Sequence, residues 1–267
     1  MPHFYKYLSF ARASLRIMFV YRAAFFMNLM GMMFYVFAMF YLWQTIFLGK
    51  PGNMSGFTWD QMKAYLLLAF LLNSMLTWFD EWIMGQDIRE GRIAIDLARP
   101  IDFQAKRMAE ALGPIPFEIS SSLLIGIGVA FLFGGIAPPH DPARLALFVL
   151  SASLATMVKF GVIYCASMTA FYTTGLMGVS FGRVAITNLF SGALIPLVFF
   201  PGWLQATAAV LPFQAMISTP ALTYLGMWDM PTTLLMIGIQ AAWAVGLILL
   251  GRLLWRSASK AVTINGG

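Results

Sequence analysis

The chain has 267 residues, 60% of them hydrophobic and only 10% charged, with a formal net charge of +6. A soluble domain carries about 25% charged residues, so this is an integral membrane protein, with no soluble domain of useful size outside its apolar runs. In a soluble protein the positive balance would suggest a nucleic-acid partner; here it reflects basic residues held on one side of a membrane, and no nucleic-acid partner is expected.

The chain begins with a periodic stretch. Phe4, Tyr7, Leu8, Ala11, Leu15 and Met18 recur at helical spacing, with Ser9, Arg12 and Arg16 opposite them. Residues 4–22 are therefore expected to form an amphipathic helix lying in the membrane interface. The apolar run that follows is too long for a signal-peptide core and has no small-residue cleavage pattern after it, so it reads as a retained span. Six spans are expected, at about 23–47, 61–79, 108–136, 143–172, 184–200 and 232–254, against the ~20 apolar residues that cross the hydrocarbon layer. Pro114 and Pro116 fall in the first turns of the third span, where proline kinks or breaks a helix. Between the fourth and fifth spans, Gly175, Gly178 and Gly182 make Thr173 to Arg183 read as a turn. Gly178 and Gly182 also match a Gly-x3-Gly helix-contact pattern, which the turn reading displaces.

Between the second and third spans lies a charged block, Asp80 to Arg107, holding 11 charged side chains. Such a block belongs in water, and a bare connector would be shorter. Its centre reads Glu90-Gly91-Arg92-Ile93-Ala94-Ile95-Asp96-Leu97-Ala98-Arg99-Pro100. Pro100 ends the run, so a short amphipathic helix is expected from about Arg92 to Arg99, with Ile93 and Leu97 one turn apart. Docking on another protein is favoured over a solvated linker.

The second informative region, 201–229, has no Lys or Arg, a single acid (Asp229) and prolines at 201, 212 and 220. Two short apolar segments, Trp203–Leu211 and Phe213–Leu225, are too short to span. Helices dipping partly into the outer leaflet fit them better than an exposed loop, because irregular backbone at membrane depth must be buried by protein.

Orientation follows from Lys and Arg. With the N-terminus inside, 13 basic residues fall on the inner side, and only Lys50, Lys63 and Arg144 on the outer. Both termini and Arg99 are thus expected in the cytoplasm, and Asn53, His140 and Gln205 outside. Two ionisable residues lie within spans, Glu118 and Lys159. Buried charges there are costly and tend to be partnered. A rise of ~1.5 Å per residue puts them at bridgeable depths on consecutive antiparallel spans. The alternative is that Lys159 snorkels to the inner interface while Glu118 lines a water-filled cavity.

Catalytic motifs are absent. There is no Gly-x4-Gly-Lys-Ser/Thr loop, no His-Glu-x-x-His and no Gly-x-Ser-x-Gly. No catalytic residue, metal site or chain-bound cofactor is expected. Cys165 is the only cysteine, which excludes a disulfide and a thiolate-built metal site. His3 and His140 are expected on opposite sides of the membrane, which argues against a shared metal.

Gly91-x-Ile93-x3-Leu97-x2-Pro100, placed between the second and third of six expected spans, resembles the cytoplasmic coupling segment of type-2 ATP-binding-cassette (ABC) exporter permeases. The Pro201-Gly202-Trp203 stretch adds to the likeness. The resemblance implies an all-α membrane fold with six transmembrane helices, 4–22 as an interfacial elbow helix, and a cytoplasmic coupling helix within 85–107. Glu90, Gly91, Arg92, Ile93, Asp96, Leu97, Arg99 and Pro100 would then engage the ATPase. Region 201–229, with Pro201, Gly202, Trp203 and Pro212, would form re-entrant outer helices. The implied partners are two copies of an ABC ATPase, which carry the ATP and Mg, a second permease (identical or related) and membrane lipid. The implied location is the bacterial inner membrane, multi-pass.

For cargo, an apolar or cationic small molecule leaving the cytoplasm is the first expectation, and lipid or glycan the second. A membrane enzyme or assembly factor without an ATPase is a different class of reading. The aromatic residues of the first span, among them Phe25, Phe26, Phe34, Tyr35, Phe40 and Trp43, suit lipid contact and packing first. Stacking on cargo is the alternative.

Overall fold

A computed structural model describes residues 2–20, 22–49, 54–77, 79, 81–133, 141–173 and 176–261. Asn53 and His140, expected outside, fall beyond these residues, as do the side chains of Phe25 and Phe26. Twelve α-helices and no strands occur among the described residues. They are α1 (Pro2–Val20), α2 (Arg22–Gly49), α3 (Trp59–Ser74), α4 (Glu81–Arg89), α5 (Ile93–Leu97), α6 (Phe103–Leu112), α7 (Ile115–Phe133), α8 (Pro142–Ser167), α9 (Leu176–Phe190), α10 (Gly202–Val210), α11 (Ser218–Leu225) and α12 (Met230–Ala258).

Four stretches are long and apolar enough to cross a membrane: Met30–Gly49, Phe103–Val129, Pro142–Phe171 and Met230–Ala258. Their outward faces remain apolar. Leu124 is 72% exposed and Phe131 89%, a pattern suited to hydrocarbon and costly in water. The second expected span, 61–79, is helical only to Ser74. Thr58 and Gln61 start it with a reciprocal capping box. The third divides at Gly113-Pro114 into α6 and α7, since proline supplies no N–H to continue the ladder.

The glycine-rich turn expected from Thr173 to Arg183 is corrected. Gly178 and Gly182 lie inside α9, which runs from Leu176 to Phe190 instead of over 184–200. Glycine is commoner in membrane helices than in soluble ones, so its presence there was a poor sign of a turn. The helix ends instead where Gly192 turns at φ +84°.

Helix α8 is the hub: α12, α11, α4 and α9 all pack against it. Several polar groups buried between these helices are matched, whereas the Tyr164 hydroxyl of α8 and the Thr187 hydroxyl of α9 have no hydrogen-bond partner among the described residues. Gln240 of α12 accepts from Ser151 Oγ at 2.8 Å, and its amide donates to Ser151 O at 2.9 Å and Ala215 O at 2.7 Å. Tyr65 donates its hydroxyl to Gly192 O at 2.8 Å, pinning the unwound stretch after α9 to α3. Region 201–229 folds as α10, a 3-10 turn at Pro212–Met216, and α11.

Two apolar clusters result. The larger joins α2, α3, α7, α8, α11 and α12 around Phe40, Met62, Tyr65 and Val158. The smaller gathers Leu76, Met84, Ile93, Phe103, Phe160, Tyr164 and Ala258 beneath the charged block.

Candidate functional site

The charged block folds into three short helices, α4, α5 and α6. Gly91 makes the turn between α4 and α5 at φ +71°, a backbone region glycine enters without a Cβ penalty. Asp102 caps α6, its Oδ1 accepting from Ala105 N–H at 2.7 Å. The connection is tied to α1 as well. Lys6 Nζ donates to Pro100 O at 3.2 Å, and Asp102 N–H donates to the Tyr7 hydroxyl at 3.2 Å.

An ion network locks these helices together. Lys106 bonds Asp96 at 2.7 Å. Arg107 bonds Asp87 of α4 at 2.6 Å and Glu110 at 3.0 Å. Lys106 and Arg107 are both buried. Charges so withdrawn from water repay their desolvation only when well paired, and the geometry they require fixes one arrangement of the helices. Arg107 also lies over the Phe103 ring, which stacks on Trp255 of α12 at 3.9 Å between centroids. The arm thus bears on the last long helix.

This geometry sorts the residues singled out from the sequence. Ile93 does not share an outward face with Leu97. It is only 2% exposed and sits in the smaller core cluster, while Leu97, at the end of α5, stays 46% exposed. Asp96 is likewise turned inward to Lys106. Glu90, Gly91, Arg92, Leu97, Arg99 and Pro100 are exposed, joined by Ile95 at 57%. The outward apolar pair on α5 is therefore Ile95 and Leu97. Arg92 is held over the turn by Asp87 at 2.8 Å and Glu90 at 2.7 Å.

Glu118 and Lys159 are brought to one place, and there they reach backbone. After Ser74 the chain unwinds, and Leu76 adopts φ +59°, the left-handed region that costs a non-glycine residue roughly 1–2 kcal/mol. Glu118 of α7 accepts from Leu76 N–H at 2.8 Å and from Thr77 N–H at 2.9 Å. Lys159 of α8 donates to Asn73 O at 2.7 Å and Met75 O at 2.5 Å. A carboxylate and an ammonium thus clamp one break from two helices, satisfying the donors and acceptors that the lost helical turn leaves open. Ser122 Oγ joins from α7, donating to Ser74 Oγ at 2.6 Å.

Sequence reasoning missed Leu76, Asp87, Lys106, Arg107 and Glu110 as working parts. The 3- and 4-residue spacings of Lys106 and Arg107 from Glu110 were a usable signal. Nothing local marked Leu76. Pro201, Gly202 and Trp203 open α10, all exposed, and Pro212 is buried at the 3-10 turn.

A cavity of about 300 Å³ lies between α2, α3 and the end of α9, lined by Tyr35, Met39, Phe40, Phe70, Asn73 and Asn188 among others. Its walls are mostly apolar with a few amide and hydroxyl groups, the usual make-up of a small-molecule site.

Apolar helices of spanning length, with apolar exposed faces and carrying an ion-locked helical arm, define a multi-pass membrane protein. The chain belongs to the ABC-2 transporter family, matching the family described as ABC-2 family transporter protein over residues 17–266. It is accordingly a membrane component of an ABC transporter, of the permease type. No curated protein and no solved structure matches it.

Proposed function

We propose that the chain is the permease subunit of an ABC exporter, driven by a separate ATPase that docks on α5. The observation that carries this reading is the two-sidedness of α5. One side is anchored in the chain's own core by Ile93 and Asp96. Ile95 and Leu97 stay exposed away from that anchor, with Arg92 and Arg99 at the two ends of the helix. Such an element transmits a push: a partner pressing on Leu97 moves a helix that is ion-locked to α6 and stacked, through Phe103, on α12. The break at Leu76 precedes α4 by a few residues and, held by Glu118 and Lys159, roots the arm on α3.

Two ATPase copies, each with ATP and Mg, would serve two permeases, either identical or related. Six spans with both termini in the cytoplasm of a bacterium agree with the bias of basic residues. Region 201–229 would then be the re-entrant outer element. The cavity beside Tyr35 and Asn188 favours an apolar or cationic organic cargo, which aromatic rings and amide groups can both accommodate. Lipid or glycan export is the second reading.

The test is affinity purification of the tagged chain from its native membranes in mild detergent. An ABC ATPase should co-purify in near-stoichiometric yield. Replacing Leu97 with Asp puts an unpartnered charge into the contact and should lower that yield at least tenfold, with the amount of inserted permease unchanged. An undiminished ATPase yield from Leu97→Asp removes α5 as the docking element.

A further inference from the structure

The cavity between α2, α3 and the end of α9 carries few polar groups, and most of them are uncommitted. Tyr35 of α2, Asn73 of α3 and Asn188 of α9 line it, and no hydrogen bond ties their side chains to other described residues. Both asparagines are half-buried and not sealed, so a molecule in the cavity can reach their amides. The remaining polar side chain of the lining, Ser74, is committed. Its hydroxyl donates to Leu71 O at 2.7 Å and accepts from Ser122 Oγ at 2.6 Å.

Three features identify the occupant. The first is charge. No charged side chain lines the cavity among the described residues. Behind it, Lys159 donates to Asn73 O at 2.7 Å, and Glu118 takes the N–H groups of Leu76 and Thr77. The two charges of the clamp are therefore spent on backbone. An ion entering the cavity would shed its water and meet no counter-charge, and ring faces return only part of that cost to a cation. The second is hydrogen bonding. Each carboxamide offers a donor and an acceptor. A hydrocarbon guest would cut both off from water and leave them unpaired, whereas a guest with an N–H beside a C=O satisfies one of each. The third is shape. The rings of Tyr35, Phe40 and Phe70 favour a flat guest. A volume of about 300 Å³, at the lower end of small-molecule sites, limits it to a compact fused-ring body.

We propose that this cavity binds a small neutral fused-ring molecule with a lactam edge, its N–H donating to one asparagine carboxamide and its C=O accepting from the other. Asn73 and Asn188 are then the residues that set specificity. The inference deepens the exporter reading and rests on it only in calling the ligand cargo. Asn73 is also the residue whose carbonyl holds Lys159, so a ligand on its side chain bears on the break from which the α4–α6 arm hangs.

The experiment uses the full chain in phosphatidylcholine nanodiscs, with empty nanodiscs as the baseline for partition into lipid. Tritiated 2-quinolone, a neutral bicyclic lactam, is equilibrated by dialysis and displaced with unlabelled analogues. Its binding should be saturable. N-methyl-2-quinolone, which lacks the N–H, leaves one carboxamide unpaired and should compete about tenfold less well. N-methylquinolinium, a cation of the same shape, and 2-naphthoate, an anion, should each compete about a hundredfold less well. Asn73→Leu and Asn188→Leu, close in size to the native residue, should each weaken 2-quinolone about fivefold and erase its advantage over the N-methyl analogue. A loosened structure alone would lower both affinities and keep the preference.

Binding no greater than to empty nanodiscs overturns the site. N-methylquinolinium or 2-naphthoate competing as well as 2-quinolone overturns the neutral class. Equal competition by N-methyl-2-quinolone, or an unchanged preference in either asparagine variant, overturns the amide pairing. The competition series on the unaltered chain decides the class even where a variant folds poorly. No ATPase is present, so failure here leaves the α5 docking test standing, and a failed co-purification leaves the ligand class standing.

Discussion

Replacing Glu118 with Gln tests whether the break in α3 is held as described. The carboxylate accepts two backbone N–H groups, at Leu76 and Thr77. A glutamine offers one oxygen, and its amide NH2 turns a donor toward the other N–H. One hydrogen bond to a charged group is lost, worth about 1.5–3 kcal/mol, and one buried N–H is left unsatisfied, which costs about 1–3 kcal/mol. The sum is a loss of roughly 2.5–6 kcal/mol. At roughly 2–4 °C per kcal/mol for a chain of this size, the melting temperature of the detergent-purified protein should fall by roughly 5–24 °C. Ser120→Ala on the exposed side of the same helix should shift it by little. Lys159→Met strands the Asn73 and Met75 carbonyls and should also destabilise. Because both side chains hold one segment, the double variant should lose less than the two single losses combined. A shift under 1 °C for Glu118→Gln, or strictly additive losses, would refute the clamp.

Single cysteines in a Cys165→Ser background should react with impermeant maleimide in sealed cells at Gln205 and not at Arg99; labelling of Arg99→Cys reverses the orientation. Gly192→Ala should unfold the protein at lower temperature, by roughly 1–2 kcal/mol of backbone strain plus the loss of the Tyr65 bond. An added Cβ would meet the Tyr65 hydroxyl at 2.4 Å, at φ +84°. An unchanged melting curve for that variant would mean the stretch after α9 is not pinned as described.

Local chemistry carried the sequence reading a long way. Apolar runs, the periodic first helix, the charged block and the proline-bounded segments after Pro201 are properties of consecutive residues, and they appear as α1, α2, α4 to α6, α8, α10, α11 and α12. The error at Gly178 and Gly182 arose because a glycine cluster means a turn in water and is tolerated in a membrane helix. The roles of individual side chains were less accessible. Ile93 and Leu97 sit one turn apart, and nothing in that spacing says that one is buried in the cluster that holds Phe103 and Phe160 while the other stays exposed. Glu118 meets an N–H 42 residues away, and Lys159 a carbonyl 84 residues away. The sequence by itself determined that these two charges needed partners at depth. Only the tertiary structure, by bringing α7 and α8 to the unwound end of α3, decided that the backbone at Leu76 supplies them, because which groups a break leaves unsatisfied depends on where the helix stops.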